Sequence, residues 1–383
     1  VDEVVSNHIH RSHFSGAPYF DRNENVLDQS VELAERIATG QRKFDPYVAG
    51  HRVQHGPSGP KTRLVWMAPL ATTILSTRFS KPVYKGMERR FPFAFGLDAM
   101  EKGSFISELR ASKRYIYCLD YSKFDSSISA QLIKDAFNIC KTHLEMTSDE
   151  ERLFDEIIAD FIHTRIVDHD ANIWRVHRGV PSGSSFTSII DSIVNIIVLQ
   201  YVFMKLGGKS LSARDFSILG DDAIVGYDRK FHPAEMARTA AQLGITISTE
   251  KSVTVDTRRS DAVSFLGHEW RLSKKDRNPN EIVKRMVFPE RHAKRSISLS
   301  LLRFLGYSAD AVSWWEVFDK VFPQTNTYHA LVALIDDIHE DEIVGVKSLG
   351  LGYLEYLVVV EDRQDLSFIG TRRLMTPLIG GLS

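Results

Sequence analysis

Cysteine is scarce in this 383-residue sequence, Cys118 and Cys140 being the whole supply. Two thiols without a Cys-x-x-Cys pair exclude a disulfide framework. No structural zinc site is expected, and the setting expected is reduced and intracellular. Long hydrophobic runs are missing too. The longest, Ile193 to Met204, is broken by Asn195 and Gln200 and is too short to span a bilayer, and no signal peptide opens the chain, so no membrane segment is expected. Repeats and low-complexity tracts are absent, which sets aside solenoids and linkers. A surplus of one charge is also lacking, the formal net charge being −1. The chain starts at Val1 rather than Met, and upstream sequence is expected to be missing.

What is present is globular material. The hydrophobic share is 43% and the charged share 25%, and the length suits two or three lobes rather than one. Charge is unevenly spread. Residues 1–114 carry +5, 115–270 carry −6, 271–312 carry +6 and 313–383 carry −6. Two basic blocks flanking an acidic centre suit a polyanion passing basic walls toward a carboxylate-lined site, although a solvated surface varies in this way as well.

Periodicity outlines the elements. The stretch AGHRVQHGPSGP around Gly50–Gly59 reads as a loop, and Arg63–Met67 as a strand before Pro69. Residues 115–119 (YIYCL) read as a strand that delivers Asp120. Residues 129–145 and 148–163 carry apolar side chains at helical spacing, and a long helix is expected from Ser182 to Leu206, ended by Gly207-Gly208. Phe216–Leu219 and Ala223–Val225 flank Gly220-Asp221-Asp222, which reads as a hairpin with acids at its tip. A helix over 233–243, strands at Ile245–Ser248 and Val263–Leu266, and a helical tail from about Ser296 complete an α+β pattern.

The carboxylates suggest the chemistry. Extending a nucleic acid needs a 3′ hydroxyl to attack an α-phosphate in line while charge builds on the attacking and leaving oxygens. Two hard cations about 3.5–4 Å apart meet that need, and they want carboxylate oxygens brought from separate strands. Asp120 at a strand end and Asp221 at a hairpin tip can supply them. Taken singly, each is also ordinary turn chemistry.

The order of the signals carries more weight. Asp120-Tyr-Ser-Lys-Phe-Asp125, Ser182-Gly183-Ser-Ser-Phe-Thr187, Gly220-Asp221-Asp222, Ala240 to Lys251 and Phe265-Leu266-Gly267 follow one another along the chain. Upstream lie Lys61-Thr62-Arg63 and Ser15-Gly16-Ala17-Pro18-Tyr19. In this order they resemble the motifs of the RNA-dependent RNA polymerases of RNA viruses. The wording SGAPYF, GVPSGSSFT and the Lys-x-Arg before a Trp is most similar to partitivirus-like double-stranded RNA viruses.

The resemblance implies a right-hand fold of fingers, a palm with a small antiparallel sheet, and a helical thumb. Fingers are expected over 1–114 and 128–178, palm over 115–127 and 179–270, thumb over 271–383. It implies Asp120, Asp221 and Asp222 around two Mg²⁺ ions, with Mn²⁺ able to substitute. Lys251 is implied as general acid toward pyrophosphate, and Lys61 and Arg63 as triphosphate contacts. Asp125, Ser182, Gly183, Thr187 and Asp191 are implied at the nucleotide and its ribose. Asp191 stands where many such polymerases carry Asn, so two acceptor carboxylates near one hydroxyl need an intervening donor or a proton on one acid. Gly16 and Pro18 are implied at the template, and Phe265, Leu266 and Gly267 at the primer end.

The implied partners are template and product RNA, ribonucleoside triphosphates and a viral capsid protein, and the implied location is the host cytoplasm, inside a virus particle. A reverse transcriptase and an inactive RNA-binding relative are the alternatives. Asp125, where reverse transcriptases place a bulky aromatic, speaks against the first, and the intact set of acids against the second. The basic stretch Arg271–Arg303 reads equally as a product RNA contact or a solvated face, and Trp314-Trp315 and Leu354–Val360 read as thumb core.

Overall fold

A computed structural model describes residues 13–56, 59–259 and 262–287, with Val4, Val5, His8, Ile9 and Arg11 before them. The helical tail from Ser296, Trp314-Trp315 and Leu354–Val360 lie outside the described residues, as does Arg271–Arg303 beyond 287. The chain divides into two compact units, one of Val1–His51, Leu64–Asp98 and Glu108–Asp261, the other of Arg52–Arg63, Ala99–Ser107 and Ala262–Ser383.

The first elements are α1 (Asn23–Ala38), β1 (Tyr47–Gly56), β2 (Gly59–Met67), α2 (Leu70–Met87) and α3 (Ala99–Ser112). Then come β3 (Tyr115–Leu119), α4 (Phe124–Ser127), α5 (Ala130–Lys141), α6 (Ser148–Ile162), β4 (Arg165–Val167) and β5 (Ile173–Arg175). The long helix α7 (Thr187–Gly207) leads to β6 (Phe216–Leu219), β7 (Asp222–Tyr227), α8 (Pro233–Ala241) and β8 (Val253–Asp256). The second unit holds β9 (Val263–Phe265), β10 (His268–Arg271), β11 (Lys274–Asp276) and α9 (Pro279–Val287).

Two four-stranded sheets matter for the site. One is antiparallel in the order β6-β7-β3-β8; the other runs β2-β1-β4-β5, with β1 and β4 parallel. The second sheet therefore joins residues on both sides of the first motif. Strand β3 owes its central place to its composition. Tyr117, Ile116, Cys118 and Leu119 are buried, which suits a strand with neighbours on both edges.

Helix α7 is the core helix of the first unit. It is long and apolar enough by length and composition to cross a membrane, but 61% of that window is buried inside the protein, where α7 packs on α5, α8 and β6. Its far end stops at Gly208, whose φ of 74° lets the amide return to the Met204 carbonyl. Its near end is held by an aromatic cluster: Phe186 lies 5.1 Å from Phe137 and 5.8 Å from Phe154, ring to ring. Each such buried ring contributes about 1.5–3 kcal/mol. Helix α6 starts at a capping box formed by Thr147 and Glu150.

Three expectations need correction. Of the Gly50–Gly59 stretch, the described residues are not a loop but the end of β1 and the start of β2, because sheet pairing overrides the composition of its Gly and His residues. Ile245–Ser248 makes a single bridge, Ile247 to Tyr121, rather than a strand; the β-branched Val253–Asp256 takes the place beside β3 instead. Helix α7 opens at Thr187, five residues after Ser182. The Thr187 hydroxyl donates to the carbonyls of Pro181 (2.6 Å) and Ser184 (2.8 Å) and folds the intervening residues into a turn.

Candidate active site

The acids meet because of sheet register. Strand β3 pairs antiparallel with β7, Leu119 facing Ala223, so Asp120 follows directly at the level of Asp222. Strand β6 pairs with β7 up to Leu219–Asp222, which leaves Gly220-Asp221 as a two-residue turn. Gly220 has φ 63°, the left-handed backbone that a hairpin turn with glycine first requires, and Asp221 sits exposed at its tip.

The turn is anchored from below. Asn195, fully buried on α7, donates to the carbonyls of Gly220 (3.0 Å) and Asp221 (3.1 Å) and accepts from the Tyr121 hydroxyl (2.8 Å). Ser192 on the same helix accepts from the Gly220 amide (2.8 Å). Ser252 accepts from the Asp120 amide (3.0 Å) and Ser248 donates its amide to the Asp120 carbonyl (2.8 Å). Sequence reading did not find Ser192, Asn195, Tyr121 or Ser252 as site residues. For Ser192 and Asn195 the one visible signal was polarity inside an apolar helix, which Asn195 interrupts; Tyr121 and Ser252, outside that helix, carried no such signal.

Electrostatics show crowded negative charge. Asp222 opens to solvent on one side while protein surrounds it on the others. Burial first, then Asp221 and Asp120, raise its pKa to about 6. Asp191 is 5% exposed; burial, then the negative charges of Asp125 and Asp221, raise its pKa well above the usual carboxylate range, so the neutral acid is favoured. Asp120 is 45% exposed as a side chain, yet its Oδ1 is hidden from solvent and has no hydrogen-bond partner; Lys251 Nζ stands 3.7 Å away. The Oδ1 of Asp191 is likewise buried without a partner. The hidden, unpartnered Asp120 oxygen beside the acidic Asp221 and Asp222 is the kind of carboxylate donor a divalent cation fits.

The acids are gathered but not drawn into ligand contact. Among the described residues, the His, Cys, Asp and Glu group with ligand atoms within 4.8 Å of one another is Asp168, His169 and Asp170 on the β4–β5 turn. There Asp168 already accepts from the amides of Asp170 and Asn172 and from the Trp174 indole, so hydrogen bonds within the turn account for that group.

The remaining expected residues are placed as follows. Asp125 lies half-buried in the first turn of α4, its carbonyl accepting from Val180. The Ser182 hydroxyl accepts from the Trp66 amide (3.0 Å), and a Cβ on Gly183 would stand 1.9 Å from the Trp66 carbonyl oxygen, so this turn is pressed onto the end of β2. Thr187 spends its hydroxyl on the same turn. Gly16, φ 68°, packs against Ala68 and Pro69, with Pro18 exposed beyond it. In the second unit, Leu266 and Gly267 have φ 53° and 70° and form the tight turn between β9 and β10, with Phe265 buried and its carbonyl accepting from Trp270. Lys61 and Arg63 lie on β2, Arg63 exposed.

Comparison with known proteins gives the family and the fold. Residues 56–309 match the family described as viral RNA-dependent RNA polymerase. The RNA-directed RNA polymerase of Cryptosporidium parvum virus 1 is 28% identical over 255 residues, covering 62% of this chain and 47% of that protein. The genome polyprotein of Southampton virus is 28% identical over 193 residues, covering 48% of this chain and 10% of that protein. The chain thus spans about half the first relative's length and a tenth of the second's. The crystal structure of the RNA-dependent RNA polymerase of a human picorbirnavirus superposes with a TM-score of 0.71 at 17% identity, over 97% of this chain and 71% of that one. Its right-hand fold is the fold of this chain. Because the family match takes in more than half the sequence, and both acidic turns lie inside it, the chain belongs to the viral RNA-dependent RNA polymerases.

Proposed function

We propose that this chain adds ribonucleoside monophosphates from triphosphates to an RNA 3′ end under the direction of an RNA template, in the replication or transcription of a viral RNA genome. The observation that carries this is the convergence of Asp120, Asp221 and Asp222 at one end of the β6-β7-β3-β8 sheet, anchored from α7. Asp120 and Asp221 would hold two Mg²⁺ ions, or Mn²⁺ in their place, with Asp222 beside them. When bound, such cations stabilise charge on the attacking and leaving oxygens.

The protein's own groups do the rest. Lys251, beside Asp120, is the candidate proton donor to departing pyrophosphate. Lys61 and Arg63 are assigned to the triphosphate, Gly16 and Pro18 to the template, and Phe265–Gly267 to the primer end. Asp125 is the candidate acceptor for a ribose 2′ hydroxyl, and a protonated Asp191 supplies the donor that two carboxylates would otherwise lack. Ser182, Gly183 and Thr187 shape the turn beneath the nucleotide through their bonds to Trp66, Pro181 and Ser184. Fingers over 1–114 and 128–178, palm over 115–127 and 179–270 and thumb from 271 are the assigned lobes. The family match and Asp125 set the reverse-transcriptase reading aside. Action in the host cytoplasm within a particle, alongside capsid protein, is part of the same proposal.

The test is incorporation of labelled ribonucleotide with Mg²⁺ or Mn²⁺ by wild type, Asp120→Asn and Asp221→Asn. Both variants should lose at least a hundredfold, since a neutral amide stands where a cation needs charge. Full activity in Asp221→Asn would refute the metal assignment.

A further inference from the structure

We propose that the β4–β5 hairpin is a binding surface for single-stranded RNA, Trp174 stacking on a base while Lys134, Arg175 and Arg178 hold phosphates. The proposal rests on the polymerase reading, which places RNA at this protein.

The hairpin lies wholly in the first unit, and β5 is the outer strand of its sheet. All three residues of β5 are exposed, Ile173 at 66% and Trp174 at 61%. An outer strand with a large apolar ring in water is costly and is usually blunted. Here the ring is instead held in place. The Trp174 indole N–H donates to Asp168 Oδ2 at 2.8 Å. Asp168 is itself fixed by the amides of Asp170 (3.0 Å) and Asn172 (2.9 Å) and by the Asn172 side chain (3.2 Å). A rigid, exposed aromatic face loses little freedom on stacking, and every base offers it a partner.

The other side of the strand is cationic. Trp174 pairs with Ile166, whereas Arg175 pairs with Arg165 on the opposite face, as strand alternation requires. His163 and His177 meet there, Nδ1 to Nδ1 at 2.9 Å. Burial first, then the charges of His177, Arg175 and Lys134, lower the proton affinity of His163, which marks a positive field at this spot. Arg178 follows, exposed. Asp160 is the acid that faces Arg165 and Arg175, and it too is held toward its neutral form. An RNA strand is likewise two-sided, bases along one flank and phosphates along the other, so it can straddle this edge. A protein partner would call for a broader apolar patch than one indole and one isoleucine.

The experiment measures affinity for an unstructured RNA oligonucleotide without nucleotides present, and maps crosslinks from 4-thiouridine in that RNA. Trp174→Ala should weaken binding by at least about fivefold, the scale of one stacked base. Lys134→Glu with Arg178→Glu, both at exposed positions, should weaken it similarly and flatten its salt dependence. Crosslinks should map to residues 173–178. If Trp174→Ala melts early, the charge pair and the wild-type crosslinks decide. Wild-type affinity in these variants, or crosslinks only elsewhere, would overturn the proposal. So would self-association that Trp174→Ala abolishes while RNA affinity stays the same. The two readings fail separately. RNA binding through this hairpin without nucleotide incorporation would sink the polymerase reading alone. Template-directed incorporation with unchanged RNA affinity in the variants would sink this one alone.

Discussion

Single residues at this site matter through the proton or hydrogen bond each one holds. Asp191 is the sharpest case. If it works as a neutral acid, Asn reproduces its shape and its donor, so Asp191→Asn should keep incorporation within about threefold, whereas Asp191→Ala should lose tenfold or more. Kinetics at saturating nucleotide separate the two, and a dead Asp191→Asn would mean that the ionised form is required. Asn195 tests a different idea. Removing its amide leaves the part-buried Gly220 and Asp221 carbonyls and the buried Tyr121 hydroxyl without this partner, the last at about 1–3 kcal/mol if it stays buried. Asn195→Ala should therefore raise the Mg²⁺ concentration needed for half-maximal rate while nucleotide KM changes less. A lower melting point with an unchanged metal requirement would make its role purely structural. Asp120, Asp221 and Asp222 as neighbours, with Lys251 beside Asp120, were legible from their motifs. Asn195, Ser192 and Ser252 were not, because a hydrogen bond across more than twenty residues leaves no local pattern.

Elements were legible where composition alone decided them. Strand β3, with aromatic and branched residues, and helices α5 and α6, with apolar side chains at helical spacing, came out close to expectation. The misses fell where tertiary pairing decided: the paired strands β1 and β2 written in Gly and His, and β8 taking the place expected for Ile245–Ser248. The late start of α7 belongs here too, since it follows from the turn pressed against β2. Gly183→Ala should cost that turn its seat, because a Cβ 1.9 Å from the Trp66 carbonyl oxygen forces backbone apart. Activity should fall at least tenfold, and full activity would show that the turn is free to move. At α6, Asp160 makes stability depend on pH. Burial raises its pKa to about 7, with Asp45 adding to the rise and Arg165 and Arg175 opposing it. A carboxyl whose folded pKa exceeds its unfolded value stabilises most below the unfolded value, and that stability is lost as pH rises through about 7. At about 1.4 kcal/mol per unit, reduced for its partial exposure, the advantage of Asp160→Asn over wild type should grow by about 1–2 kcal/mol from pH 5 to pH 8. Denaturant melts at the two pH values measure this, and a constant difference would contradict it.

On the scale of the whole molecule, the claim is that the sheet end bearing Asp120, Asp221 and Asp222 copies RNA. The motif order gave the family from sequence, and the right-hand fold agrees with it; how the lobes cooperate on RNA was written in neither composition nor periodicity. The most direct measurement supplies four homopolymeric RNA templates, each with a matching primer and one labelled ribonucleotide at a time. The account predicts label only from the nucleotide complementary to each template, and none from the matching deoxynucleotide or from Asp221→Ala. Incorporation regardless of template, or RNA binding without any incorporation, would contradict it.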